Sequence, residues 1–150
     1  MVKKIVFVCS GNICRSPLAA GMAKAKLEAA GIPVEVTSAG TLYINGQPAA
    51  PNAVFAGELI GIDITSHISQ GISMQMALTA DHLVAMAPHH VNELAGLDPS
   101  LEDKIVRLWT YGEHVDPLVE IADPVGQELD AFVECGERLD ICLDSWIAQF

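Results

Sequence analysis

The chain has 150 residues and a formal net charge of −11 at pH 7; 51% of it is hydrophobic and only 18% is charged. That length suits one domain with a substantial core, the composition excludes a disordered chain, and an acidic balance without a basic stripe excludes nucleic acid as a partner. No apolar run approaches the roughly 20 residues that span a bilayer and no export signal precedes the first strand, so Cys9, Cys14, Cys135 and Cys142 read as free thiols of a cytoplasmic protein.

In chain order, Ile5-Val6-Phe7-Val8 join β-branched and aromatic residues without alternation, which predicts a strand buried on both faces. Cys9-Ser10-Gly11-Asn12-Ile13-Cys14-Arg15-Ser16-Pro17 follows, with Ser16 read as N-cap and Pro17 as first residue of a helix that continues to Ala30. A second strand is predicted over 34–37, entering a turn at Ser38-Ala39-Gly40. A loop rich in Gly, Pro and Asn reaches Pro51, then come a helix over 52–59 stopped by Gly61 and a short helix over 73–78. The third strand is predicted over 82–86, the next helix opens at Pro88 and ends near Gly96, and the fourth strand covers 105–109. A long acidic loop runs to Gly126, and a final helix over 129–147 carries apolar residues at helical spacing. This alternation predicts an α/β fold, a single-domain three-layer α/β/α arrangement with a parallel sheet covered by helices, binding ligands beyond the carboxyl ends of its strands.

Cys9 lies at such an end. A cysteine and an arginine six positions apart, in a short glycine-containing loop between strand and helix, suit a tetrahedral oxyanion held against a sulfur nucleophile. Loop N–H groups and the helix N-terminus converge on one point, Arg15 adds a planar fork of donors, and the same field would hold Cys9 as thiolate. A cysteine ending a buried strand is often only a small hydrophobe, but the placement with Gly11 and Asn12 before a helix favours chemistry. The turn has no Gly-Lys-Ser/Thr ending and no glycine triplet, which excludes the Walker and dinucleotide loops. With a net charge of −11, the anion must be held by this local field, and long-range steering is weak.

Attack by sulfur on a phosphoester also calls for a proton donor. Three Asp-Pro pairs offer one, Asp98-Pro99, Asp116-Pro117 and Asp123-Pro124, each of which is otherwise a plain turn. Position favours Asp123, in the loop between the fourth strand and the last helix. His89 and His90 are read as a solvated helix start rather than a metal pair, because adjacent residues point to different sides of a helix. Cys135 and Cys142, seven apart on one helix face, are about 10 Å apart and read as core positions that cannot pair.

Four segments, Val8 to Pro17, Thr37-Ser38-Ala39-Gly40-Thr41, Ser66-His67 and Ala122-Asp123-Pro124, resemble the low-molecular-weight protein tyrosine phosphatases, and the resemblance covers 1–150 as one phosphatase domain. It implies the four-stranded parallel sheet of the phosphotyrosine protein phosphatase I-like fold. It implies that Cys9 forms a phosphocysteine, that Arg15 binds the phosphoryl oxygens, and that Asp123 protonates the leaving tyrosine oxygen and then activates water. Ser10, Gly11, Asn12, Ile13, Cys14 and Ser16 then bind substrate, with Ser16 stabilising the thiolate. Asn12 takes a strained conformation held by Ser38 and His67. Cys14 either traps an oxidised Cys9 as a disulfide or is a buried thiol under the loop. No metal or other cofactor is implied. The implied partners are a phosphotyrosine-containing protein or peptide and phosphate-like anions, with neither nucleic acid nor membrane, in a bacterial cell.

Two features depart from the family pattern. Val125 and Gly126 stand where many members carry aromatic residues, and Tyr43 is the nearest candidate for an aromatic at the pocket rim. Related bacterial enzymes that hydrolyse phosphoarginine carry threonine where this chain has Ile13, and an apolar branched residue favours a ring over a guanidinium. Phosphotyrosine is therefore the expected substrate. The alternatives are phosphoarginine, thiol-dependent arsenate reduction on the same fold, and an inactive anion-binding regulatory module. Residues 80–96 hold no cysteine, which disfavours thioredoxin-coupled arsenate chemistry, and the intact Cys9, Arg15 and Asp123 disfavour the inactive module.

Overall fold

The computed structural model describes residues 2–112 and 119–150, so Asp116 and Pro117 lie outside the described residues. Strand β1 (Lys3–Cys9) leads into helix α1 (Arg15–Ala29), then β2 (Val34–Gly40), α2 (Pro51–Leu59) and α3 (Met74–Thr79). There follow β3 (His82–Ala85), α4 (Pro88–Leu97), β4 (Ile105–Arg107) and α5 (Leu129–Ile147), with 3₁₀ turns at Pro99–Lys104 and Leu108–Thr110. The sheet is four-stranded in the order β2-β1-β3-β4 and every pairing is parallel, as the alternating pattern predicts. The chain leaves β1 toward β2 on one side and returns to β3 on the other. The carboxyl end of β1 is thus the switch point of the sheet, where such folds open a crevice. Among the described residues no helix is long and apolar enough to cross a membrane.

Ile5, Phe7 and Val8 are fully buried, as an unalternating strand requires, and Leu18, Met22 and Leu27 of α1 join Leu139, Cys142 and Leu143 of α5 in the core. Trp146 closes this packing, meeting the ring of Phe7 edge-on at 6.3 Å and that of His82 at 5.5 Å. Cys135 and Cys142 are buried free thiols.

The structure moves several expected boundaries. β2 continues through Ser38, Ala39 and Gly40, because pairing with β1 runs on to Cys9 opposite Gly40 and overrides the turn chemistry of those residues. α1 begins at Arg15 with Cys14 at its cap position and no side-chain cap, so Ser16 lies inside the first turn and its hydroxyl serves another partner. β4 stops at Arg107, and Leu108 to Thr110 coil into a 3₁₀ turn that buries Trp109. Asp98 caps the other 3₁₀ turn, accepting from the Ser100 N–H at 2.9 Å, so that Asp-Pro pair is structural.

Truncating Phe7 to Ala would remove both the strand's largest apolar contact and the partner of Trp146. The expected loss is about 3–5 kcal/mol in urea unfolding followed by circular dichroism; a loss under about 1 kcal/mol would place the core elsewhere.

Candidate active site

The loop after β1 is held in shape mainly by one buried side chain. Asn12 has φ +59° and is fully buried, a left-handed conformation that costs free energy unless its surroundings enforce it. Its amide Nδ2 donates to Ser16 Oγ at 2.8 Å and to Ser38 Oγ at 2.9 Å, while Oδ1 accepts from the Gln70 N–H at 2.9 Å. Its carbonyl accepts from His67 Nε2 at 2.6 Å. Ser38 and His67 therefore stand at Asn12, where the resemblance implies them. Gln70 has no such signal in the sequence, since it contributes a main-chain N–H from 58 residues away. The second support is steric. A Cβ on Gly40 would lie 2.6 Å from the Ser10 carbonyl oxygen and 3.1 Å from Asn12 Cβ, so only glycine lets β2 approach the loop this closely.

Ser16 Oγ receives the Asn12 amide, which leaves its own proton for Cys9 Sγ, 2.9 Å away. Arg15 is 2% exposed; Nη1 donates to the Ile121 carbonyl at 2.9 Å and Nη2 lies 3.4 Å from Asp123 Oδ2. Its Nε has no hydrogen-bond partner among the described residues, so one edge of a buried guanidinium keeps a donor for an oxyanion. Asp123 is half-exposed and its Oδ1 accepts from the Val125 N–H at 3.1 Å. Of the two Asp-Pro candidates among the described residues, Asp98 and Asp123, this is the one placed over Arg15.

Cys9, Ser10, Gly11, Ile13, Cys14 and Arg15 line a cleft of about 130 Å³, and Asp123, Val125, Leu42 and Ile44 complete it. Leu42 and Ile44 take the place expected of Tyr43. Tyr43 has φ +57° and is half-exposed, and it packs on Gly71, where a Cβ would meet its ring at 2.5 Å. Asn45 pins that loop by accepting from the Gly71 N–H at 2.9 Å and donating to the Tyr43 carbonyl at 3.0 Å. The neighbours of Tyr43 therefore face the cleft and its ring does not.

The histidine pair also departs from the expectation of a solvated helix start. His90 is fully buried, with Nε2 2.9 Å from Ser10 Oγ, and His89 Nε2 is 3.3 Å from the same oxygen. The two rings stand 4.0 Å apart, so although the residues leave the helix in different directions, both rings reach one hydroxyl. Burial, then the Arg15 and His89 charges, push the His90 imidazole down to about 3. Cys14 is a buried thiol pushed up to about 12 by burial and then by Asp123, Cys9 and Cys135, with Arg15 opposing. A roomier cleft of about 480 Å³ lies between α1, α2 and α5, but its cation Lys26 is already held by Asp140 at 2.6 Å and Asp144 at 2.7 Å. It offers an anion nothing comparable.

Residues 4–150 match the model of the family described as low molecular weight phosphotyrosine protein phosphatase. A probable low molecular weight protein-tyrosine-phosphatase EpsP of Ralstonia nicotianae is 33% identical over 99% of this chain and 97% of its own. A protein-arginine-phosphatase of Bacillus subtilis is 33% identical over 91% of this chain and 89% of its own. The crystal structure of a low molecular weight protein tyrosine phosphatase from T. tengcongensis superposes with a TM-score of 0.89 at 34% identity, covering 99% of each chain.

Two outcomes are expected from this geometry. Gly40→Ala forces the loop away from β2 and weakens tungstate binding at least tenfold by calorimetry, a conservative change that an unconstrained loop would tolerate. His90, neutral in the fold, gains a proton on unfolding below its ordinary value of 6.5, so its stabilisation is present above that pH and lost as pH falls toward about 3. The melting temperature should therefore drop between about pH 6.5 and 4, more steeply for the native chain than for His90→Gln. His82, also held low by burial, adds a slope of the same sign to both proteins.

Proposed function

The chain belongs to the low-molecular-weight phosphotyrosine protein phosphatase family, and on that premise we propose that it hydrolyses phosphotyrosine in proteins or peptides through a phosphocysteine on Cys9. The observation that carries this reading is the meeting of Cys9, Arg15 and Asp123 in one cleft of about 130 Å³. Arg15, with one N–H edge unpaired among the described residues, takes two phosphoryl oxygens, displacing the 3.4 Å contact with Asp123. Loop N–H groups and the start of α1 hold the remaining charge. The sulfur of Cys9, with the Ser16 hydroxyl donating to it, attacks phosphorus; the S–P bond forms as the P–O bond to tyrosine breaks. Asp123 gives its proton to the departing phenolic oxygen. In the second step the Asp123 carboxylate takes a proton from water, the oxygen attacks phosphorus, the S–P bond breaks, and inorganic phosphate leaves a regenerated thiolate.

The apolar side chains Ile13, Leu42, Ile44 and Val125 along the cleft support an aromatic ring above the phosphoryl group. A phosphoarginine reading is favoured instead by the relative named as a protein-arginine-phosphatase, at the same 33% identity as the tyrosine-phosphatase relative. The match over 4–150 supports reading the whole chain as one phosphatase domain. Four free, buried cysteines support work in a reducing cytoplasm, and the bacterial relatives support a bacterial setting. Burial of Cys14 as a neutral thiol favours its role as packing under the loop over rapid capture of an oxidised Cys9.

Hydrolysis of matched phosphotyrosine and phosphoarginine peptides tests the reading. Phosphotyrosine should be preferred and Cys9→Ser should abolish turnover; preference for phosphoarginine would keep the mechanism and overturn the substrate. Asp123→Asn should slow phosphotyrosine cleavage about 100-fold or more, with a smaller effect on esters of good leaving groups. A loss on Asp116→Asn in its place would move the acid to that residue.

A further inference from the structure

His90 is a buried titratable side chain that the reaction above does not use. It sits at 0% exposure at the start of α4, behind the loop that carries Cys9, and its Nε2 is 2.9 Å from the hydroxyl of Ser10, the residue next to the nucleophile. Its Nδ1 has no hydrogen-bond partner among the described residues. With the ring neutral, one nitrogen carries the proton. A proton on Nδ1 would orphan a buried N–H donor, whereas a proton on Nε2 leaves only an unpaired acceptor, the less costly defect. The hydrogen-bond network thus assigns Nε2–H as donor to Ser10 Oγ.

That assignment decides what Ser10 does. Its oxygen is occupied by His90, so its own proton must go elsewhere, and the acceptor in reach is His89 Nε2 at 3.3 Å, a long bond that a better acceptor would replace. Ser10 also lines the cleft with Cys9 and Arg15, and its carbonyl accepts from the Leu42 N–H at 3.0 Å. It therefore braces the loop on two sides: by its backbone to the segment carrying Leu42 and Ile44, and by its side chain to α4. The geometry points to His90 as a positioning residue for phosphoryl transfer: its Nε2–H fixes the rotor of Ser10, so that the Ser10 hydroxyl is presented to an oxygen of the bound phosphoryl group. This rests on the reading of Cys9 and Arg15 above. Burial, then the Arg15 and His89 charges, hold the imidazole down at about 3, so the donor arrangement persists at neutral pH.

The test is a double-mutant cycle on hydrolysis of a phosphotyrosine peptide, with melting temperature measured on each variant. Ser10→Ala, at a half-buried loop position, and His90→Leu should each lower kcat about tenfold with KM changed less than threefold. The double variant should be no worse than either single one, because both remove the same bond. His90→Gln, whose amide nitrogen stands near the Nε2 position, should recover most of the rate. If His90→Leu fails to fold, Ser10→Ala and His90→Gln still decide the matter. Multiplicative losses in the double variant, or a native kcat for Ser10→Ala, would overturn the proposal, as would a native kcat for His90→Leu or failure of His90→Gln to recover. Absence of Cys9-dependent turnover in the native chain would overturn the underlying reading instead, so the two failures are distinguishable.

Discussion

The site depends on the conformation of Asn12. A left-handed residue that is not glycine persists only where its surroundings fix it, and here both amide protons, the amide oxygen and the backbone carbonyl of Asn12 are all engaged. The partners come from α1, from β2 and from the segment around residues 67–70, so the shape of the loop rests on contacts between distant parts of the chain. In return, the same network hands the Ser16 proton to Cys9 and points the loop toward Arg15. Strain, thiol placement and anion binding are thus one structural problem, which explains why Gly40 must let the backbone of β2 come so near.

An acidic protein that binds a dianion has to solve an electrostatic conflict at short range. With a net charge of −11 the overall field repels the substrate, and Lys26, one of the few cations, is tied to Asp140 and Asp144 away from the cleft. Arg15 resolves the conflict because it is buried, at 2% exposure, where its charge is little screened, and because a backbone carbonyl orients it without neutralising it. The half-exposed Asp123 is the only carboxylate paired with it among the described ion pairs, and in the proposed reaction a phosphoryl group takes the place of that contact.

Above this charged floor the cleft is aliphatic, with Ser10 as its polar wall. The loop from Leu42 to Asn45 is pinned from beneath by Gly71, so it presents Leu42 and Ile44 rather than Tyr43 to a substrate. Such a surface offers a ring apolar contact on several sides and gives a guanidinium few acceptors, which is the physical basis of the proposed preference for tyrosine.

The strand through Ile5 and Val8, the helix from Leu129 to Ile147 and the anion loop with its Cys9–Arg15 spacing were legible in the sequence by itself. Each is written in local terms: apolar periodicity, or donors a few residues apart that converge in any strand–loop–helix turn. The parallel α/β arrangement was legible for the same reason. Other features rested on contacts between distant segments, which no local pattern encodes. The β1 ladder extended β2 through Gly40 against its turn chemistry, and the thiol drew Ser16 from its expected capping role. Tertiary structure also chose Asp123 over Asp98 to stand at Arg15, brought the Gln70 N–H to Asn12, and turned His90 from a surface position into a buried partner of Ser10. Those choices depend on sheet order, because the arrangement β2-β1-β3-β4 brings Gln70, His90 and Asp123 from distant parts of the chain onto the end of β1.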